Sequence, residues 1–180
     1  AGEYGACERF GDAGTGRAKL PPGTSIGYNA RTGGSWGEFF VAQESQLVAV
    51  PEALTDEQAL LTDPLACSLH SALRADLSDA RRVLVYGSGV LGLGLVACLR
   101  AIGYTGWIDA LDVQAYLGEL AMEFGADDAV RLSGERRQRF QEIARRTEAT
   151  VQRARFGNYM LSGGYDVIFD CVGSAGSIAE

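Results

Sequence analysis

Three glycines and one acid carry the clearest chemistry in this chain: Gly87, Gly89 and Gly92, in the run Gly87-Ser-Gly89-Val-Leu-Gly92, and Asp112 twenty residues further on. Gly87 allows a tight turn, Gly89 withholds a side chain so that backbone can approach a diphosphate, and Gly92 lets a helix pack closely on a strand. The backbone N–H groups of Val90 and Leu91 would then open a helix, as free donors at the positive end of its dipole. Asp112 can accept hydrogen bonds from a ribose diol. Three spaced glycines are weak evidence in a chain with 24 of them. Their surroundings make the signal specific.

The elements that would position these residues follow a β-α-β rhythm. Strands are expected near 82–86, 107–111, 128–132 and 165–170, with helices near 90–102 and 114–124 between the first three. Strands alternating with helices imply a parallel sheet, so the fold class is α/β, a partial doubly wound parallel sheet with four of the usual six strands. Ahead of it, Thr55-Asp-Glu-Gln58 is a capping-box signature for a short helix, and Asp63-Pro64 reads as N-cap and first residue of a second helix running to about Ala75. Residues 35–50 have strand character, ending at Pro51, and residues 1–32 read as loop. The polar stretch from Ser133 to Gly164, rich in arginine, reads as a solvated crossover helix with an inserted loop.

Composition narrows the function classes. A hydrophobic content of 47% with 22% charged residues is that of a soluble globular protein. The net charge of −7 argues against nucleic acid or an anionic membrane as main partner. Residues 83–99 are nearly all apolar, yet they hold four glycines, sit between Arg82 and Arg100, and fall short of a bilayer's ~20 residues. Cys7, Cys67, Cys98 and Cys171 show no paired spacing, which fits reduced thiols and a cytoplasmic location. A methyltransferase-type nucleotide fold also places glycines after its first strand, but more tightly clustered. Asp63, Cys67 and His70 share one helix face, although adjacent turns rarely bring three side chains onto one tetrahedral ion.

The blocks Gly33-Gly34-Ser-Trp-Gly-Glu-Phe39, Leu47-Val-Ala-Val-Pro51, Leu60-Leu-Thr-Asp63-Pro-Leu-Ala-Cys-Ser-Leu-His70, Val83 to Gly92, Glu123-Phe-Gly-Ala-Asp127 and Tyr165 to Gly173 occur in this order. Together they resemble the medium-chain zinc-dependent alcohol and polyol dehydrogenases, in particular the sorbitol, glucose and threonine dehydrogenase-like branch. The resemblance implies the end of a β-rich GroES-like catalytic domain over residues 1–54. An incomplete NAD-binding Rossmann domain would follow over 55–180, with linking helices at 55–76. It implies zinc and NAD as cofactors, and hydride transfer from a small secondary alcohol or polyol. A homo-oligomer is expected at full length.

By the same resemblance Asp63 stands where a catalytic zinc ligand can lie, one methylene shorter than the usual Glu. Cys7 stands where the last cysteine of a structural zinc lobe would be. Cys67 would face the nicotinamide pocket, and Val172 and Gly173 would border the nicotinamide ring. The chain as given is expected to be a fragment that binds NAD weakly or not at all and does not catalyse alone. NAD is favoured over NADP, because Asp112 repels a 2′-phosphate and neither Val113 nor Gln114 supplies an arginine against it. The rival readings are a zinc-free quinone-oxidoreductase-like reductase and a non-catalytic NAD-binding module.

Overall fold

The computed structural model describes residues 28–29, 33–34, 37–39, 48–131, 134–153 and 158–179. The chain divides into two compact units, Ala1–Thr55 and Asp56–Glu180. In the first, β1 (Tyr28–Asn29) and β2 (Gly33–Gly34) form an antiparallel pair with Tyr28 opposite Gly34. β1 falls in a stretch expected to be loop; a ladder of two residues needs no apolar alternation, so nothing in the pattern announced it. Gly37–Phe39 and Val48–Val50, within the expected strand region, carry no ladder, and Phe39 and Val48 are exposed. The other residues of that region, and Cys7, lie outside the described residues.

The second unit opens with α1 (Asp56–Ala59), at the capping-box signature, and α2 (Thr62–Arg74). The expected N-cap at Asp63 is corrected. Leu61 holds the cap position, and Asp63 lies inside the first turn without a side-chain cap bond. The Thr62 hydroxyl donates to the Ala59 carbonyl at 2.7 Å and the Leu65 N–H to the Leu61 carbonyl at 2.9 Å, so the helix starts earlier. Pro64, having no N–H, is tolerated in the first turn either way. Asp63 keeps the favourable place of an acid at a helix's positive end.

Next come β3 (Arg82–Tyr86), α3 (Val90–Ala101), β4 (Trp107–Leu111), α4 (Ala115–Glu123) and β5 (Asp128–Val130), each within two residues of its expected bounds. The stretch expected as helix plus loop forms α5 (Arg136–Thr147) and then an antiparallel pair, β6 (Thr150–Arg153) and β7 (Tyr159–Ser162), with Val151 opposite Leu161. β8 (Val167–Asp170) and α6 (Ala175–Ala179) complete the described order. The sheet runs β5-β4-β3-β8 with every pair parallel. This is the opening order of a doubly wound fold, in which the chain crosses to the far side of its first strand after the third.

Alternation divides the sheet's two faces. Val83 and Val85 of β3 and Ile108 and Ala110 of β4 are wholly buried, beneath Leu95, Val96 and Leu99 of α3, Ala72 of α2 and Ala121 of α4. On the other face Leu84, Leu111 and Val130 form a smaller apolar cluster. Beneath Phe140 and Ile143 of α5 that side keeps a cavity of about 380 Å³. Strands covered on both faces read as continuous apolar runs, which is why β3 was plain in sequence.

A buried charge sits in the second face. Asp109 is 0% exposed; its carboxylate pairs with Arg82 Nε at 2.9 Å and accepts a hydrogen bond from Trp107 Nε1 at 2.8 Å. Arg82 also donates to the Arg146 carbonyl and lies over the Trp107 ring, which ties β3, β4 and α5 together. Losing one member of such a pair leaves the other desolvated and unmatched. Asp109→Ala is therefore expected to cost about 3 kcal/mol, read as a lower urea midpoint with an unchanged slope.

Candidate functional site

The carboxyl ends of β3, β4 and β8 hold the glycine loop, Asp112, Val172 and Gly173. Gly87 leaves β3 with φ +96°, and its N–H donates to the Leu111 carbonyl at 2.7 Å. A Cβ at Gly87 would stand 2.7 Å from Val172 Cγ2, so the loop passes against the turn after β8. At Gly92 a Cβ would run into the Gly87 carbonyl oxygen, so α3 packs on this loop with no room for a methyl group. Gly89 differs. It is the N-cap of α3, exposed and with ordinary φ −71°, and a Cβ there would meet nothing within 4 Å.

The loop is held from the next strand. Asp112 Oδ2 accepts the Ser88 N–H at 2.7 Å and Oδ1 accepts the Gln114 N–H at 2.9 Å. The acid is half-buried, and each of its oxygens has a second lone-pair direction for a further donor. Val90 and Leu91, the first residues of α3, are exposed. Past β8, Asp170 Oδ1 accepts the N–H groups of Val172 and Gly173 at 2.9 and 3.0 Å, and Oδ2 accepts the Ser177 hydroxyl at 2.8 Å. The Gly173 N–H and the Ser177 hydroxyl hold its carboxyl below the usual carboxylate range. Asp170 was missed in sequence, although an Asp two and three residues before turn N–H groups is a recognisable Asx signal.

Two cavities flank the loop. One of about 220 Å³ lies between Tyr86, Leu111, Val113, Arg139, Ser174 and Ser177. Arg139 arrives there from α5, a neighbour no local pattern could disclose. The other, about 100 Å³, is lined by Cys67, Ser68, Leu91, Leu95, Asp170 and Cys171. It brings Cys67 beside Leu91 and next to the Val172-Gly173 turn. Asp63 is exposed and belongs to no such cluster: among the described residues no group of three or more His, Cys, Asp or Glu side chains converges on a metal position. The Asp63, Cys67 and His70 face therefore does not form an ion site, since one helix surface holds them along its length.

The donor set fits a dinucleotide. A helix N-terminus, an open cradle where a Cβ is absent, and an acid fixed one strand over match a diphosphate followed by a ribose. The described residues do not fit zinc by themselves, since no three His, Cys, Asp or Glu side chains among them converge. No helix among them is long and apolar enough to cross a membrane.

The chain is similar to known dehydrogenases in sequence and fold. No protein-family model matches the chain. L-idonate 5-dehydrogenase of Vitis vinifera is 30% identical over 142 residues, 79% of this chain and 36% of that protein. Sorbitol dehydrogenase 1 of Saccharomyces cerevisiae is 29% identical over 175 residues, 96% of this chain and 46% of that protein. The crystal structure of 2R,3R-butanediol dehydrogenase from Bacillus subtilis superposes with a TM-score of 0.58 at 28% identity, over 79% of this chain and 36% of that one. The chain thus spans between a third and a half of the length of these relatives.

Two outcomes follow from the site's packing. Gly92→Ala is expected to destabilise the fold by about 3 kcal/mol, because backbone must move, whereas Gly89→Ala should stay within about 0.5 kcal/mol of the parent; thermal unfolding measures both. For Asp170, a depressed carboxyl contributes stability above the ordinary carboxylate pKa and loses it as pH falls through the folded value. Asp170→Asn should therefore unfold slightly earlier at pH 7, by at most about 1 kcal/mol given its exposure. The two melting curves should converge only once the pH has fallen below the ordinary carboxylate range.

Proposed function

We propose that this chain, similar to the medium-chain zinc alcohol and polyol dehydrogenases, provides the NAD site of an oxidoreductase that takes hydride from a secondary alcohol or polyol. The single observation that supports this most is the open space at Gly89, in front of α3 and beside Asp112. In this reading the N–H groups of Val90 and Leu91 face the diphosphate, with Gly87 and Gly92 shaping the loop. Asp112 accepts the ribose hydroxyls with the lone pairs that Ser88 and Gln114 leave free. Cys67, Val172 and Gly173 border the far end of the nucleotide. When bound, the nicotinamide ring accepts hydride from the alcohol carbon.

The chain's own part is to bind and orient. Asp170 holds Val172 and Gly173 in one conformation, so the nicotinamide end meets a fixed wall. Asp63 is kept as a candidate ligand for a catalytic zinc in the whole protein, and Cys7 for a structural one. A small-molecule alcohol or polyol substrate, a cytoplasmic location and a homo-oligomeric whole protein complete the proposal.

The test is titration of the intact protein with NADH and NADPH by nucleotide fluorescence. NADH should bind at least about tenfold more tightly, a difference of ~1.4 kcal/mol. Gly89→Ala should weaken NADH by about tenfold or more while its melting temperature holds, and Asp112→Asn should narrow the gap between the two nucleotides. Absence of binding by the folded parent, or equal affinity for both nucleotides, would overturn the reading.

A further inference from the structure

Two cysteines line one small cavity. Cys67, on α2, and Cys171, in the turn after β8, both line the cavity of about 100 Å³, and both are free. Each is fixed to one end of the glycine loop. Ser68, the neighbour of Cys67, donates its hydroxyl to the Leu91 carbonyl at 2.9 Å, while the Cys171 N–H donates to the Tyr86 carbonyl at 2.8 Å. α2 lies tight against α3 at this point, since a Cβ on Gly94 would stand 2.9 Å from Ser68 Oγ. Such a cavity has room for only a few water molecules, at ~30 Å³ each. The third described cysteine, Cys98, is set apart, with its sulfur 4.0 Å from the Leu65 carbonyl.

We propose that Cys67 and Cys171 form a peroxide-sensitive thiol pair, which closes to an intramolecular disulfide and thereby blocks the nucleotide site. The two thiols differ as such a pair requires. Cys67 is exposed and meets the oxidant first. Burial, with Asp170 adding to it, pushes the Cys171 thiol up to about 11, which disfavours it as the first to meet peroxide. The Cys67 thiolate attacks one oxygen of hydrogen peroxide; the O–O bond breaks, the departing hydroxide takes the thiol's proton and leaves as water, and Cys67 becomes a sulfenic acid. The Cys171 sulfur then attacks the Cys67 sulfur, forming the S–S bond and expelling hydroxide, which takes the Cys171 proton as a second water. Two thiols and one peroxide give one disulfide and two waters. The bond would tie α2 to the turn carrying Val172 and Gly173 and fill the space beside Leu91. Its effect on nucleotide binding rests on the proposed NAD site; its formation does not.

The test treats the intact protein with one to a few equivalents of hydrogen peroxide, traps free thiols and maps peptides by mass. The expected result is a Cys67–Cys171 linked peptide and NADH affinity at least about tenfold lower, both reversed by dithiothreitol. Cys67→Ser should yield no linked peptide, while Cys98→Ser should respond as the parent does. Sulfenic or sulfinic acid at Cys67 with no link to Cys171, or a link that leaves NADH affinity unchanged, would overturn the proposal. If the reduced parent binds no NADH yet still forms the link, the NAD reading and the blocking of its site fail while the thiol pair stands.

Discussion

The close approach of the α3 backbone to the Gly87 carbonyl is the constraint on which the rest of this structure depends. Without a side chain at Gly92, α3 lies directly on the loop leaving β3. That contact sets the height of the helix over the sheet, so Leu95, Val96 and Leu99 reach Val83 and Val85. The same contact aims the helix's free N–H groups past Gly89 at the carboxyl edge. Core and site thus share one requirement. A methyl group at Gly92 would disturb both, whereas one at Gly89 would meet no protein atom.

Asp112 answers to the same constraint from the neighbouring strand. Its two backbone donors come from the glycine loop and from the entrance to α4, so the acid fastens β4 to the loop that it adjoins. A carboxylate held by two N–H groups spends little conformational entropy on meeting a ligand, which is how a fixed acid gains selectivity. Asp170 does the equivalent after β8, holding Val172 and Gly173. At the opposite edge of the sheet, Asp166 accepts the N–H groups of Arg81 and Arg82, and Asp127 accepts that of Ile108. Acids therefore clamp strand ends at both edges, with backbone donors as their partners.

The parallel sheet was legible in sequence because β3, β4 and α3 are apolar along most of their length and end in glycine or acid. The start of α2 was not: Asp63-Pro64 looked like a cap, but Thr62 and Leu61 found backbone partners one residue ahead of it. The β6-β7 pair was also missed, since its strands are half-exposed and its polar residues mask the alternation. Arg139 beside Val113, and the cavity shared by Cys67 and Cys171, were beyond local reading. They depend on α5 and α2 packing on elements far away in the chain.

Arg139 bears on the choice of nucleotide, because the sequence argument for NAD relied on Asp112 having no arginine near it. The guanidinium lies on the wall shared with Val113, but it is tethered, with Nη1 donating to the Gly134 carbonyl at 3.2 Å. Asp112 is held by shorter bonds, at 2.7 and 2.9 Å, to two backbone donors. In the proposed pose a 2′-phosphate would come within ~4 Å of that carboxylate, a repulsion of about 4 kcal/mol for each unit charge at an effective dielectric near 20. For Arg139 to offset it, the side chain would leave its carbonyl and give up rotamer freedom, which costs about 1–2 kcal/mol. That cost leaves the repulsion from Asp112 only partly offset, so the proposed pose favours a ribose with both hydroxyls free.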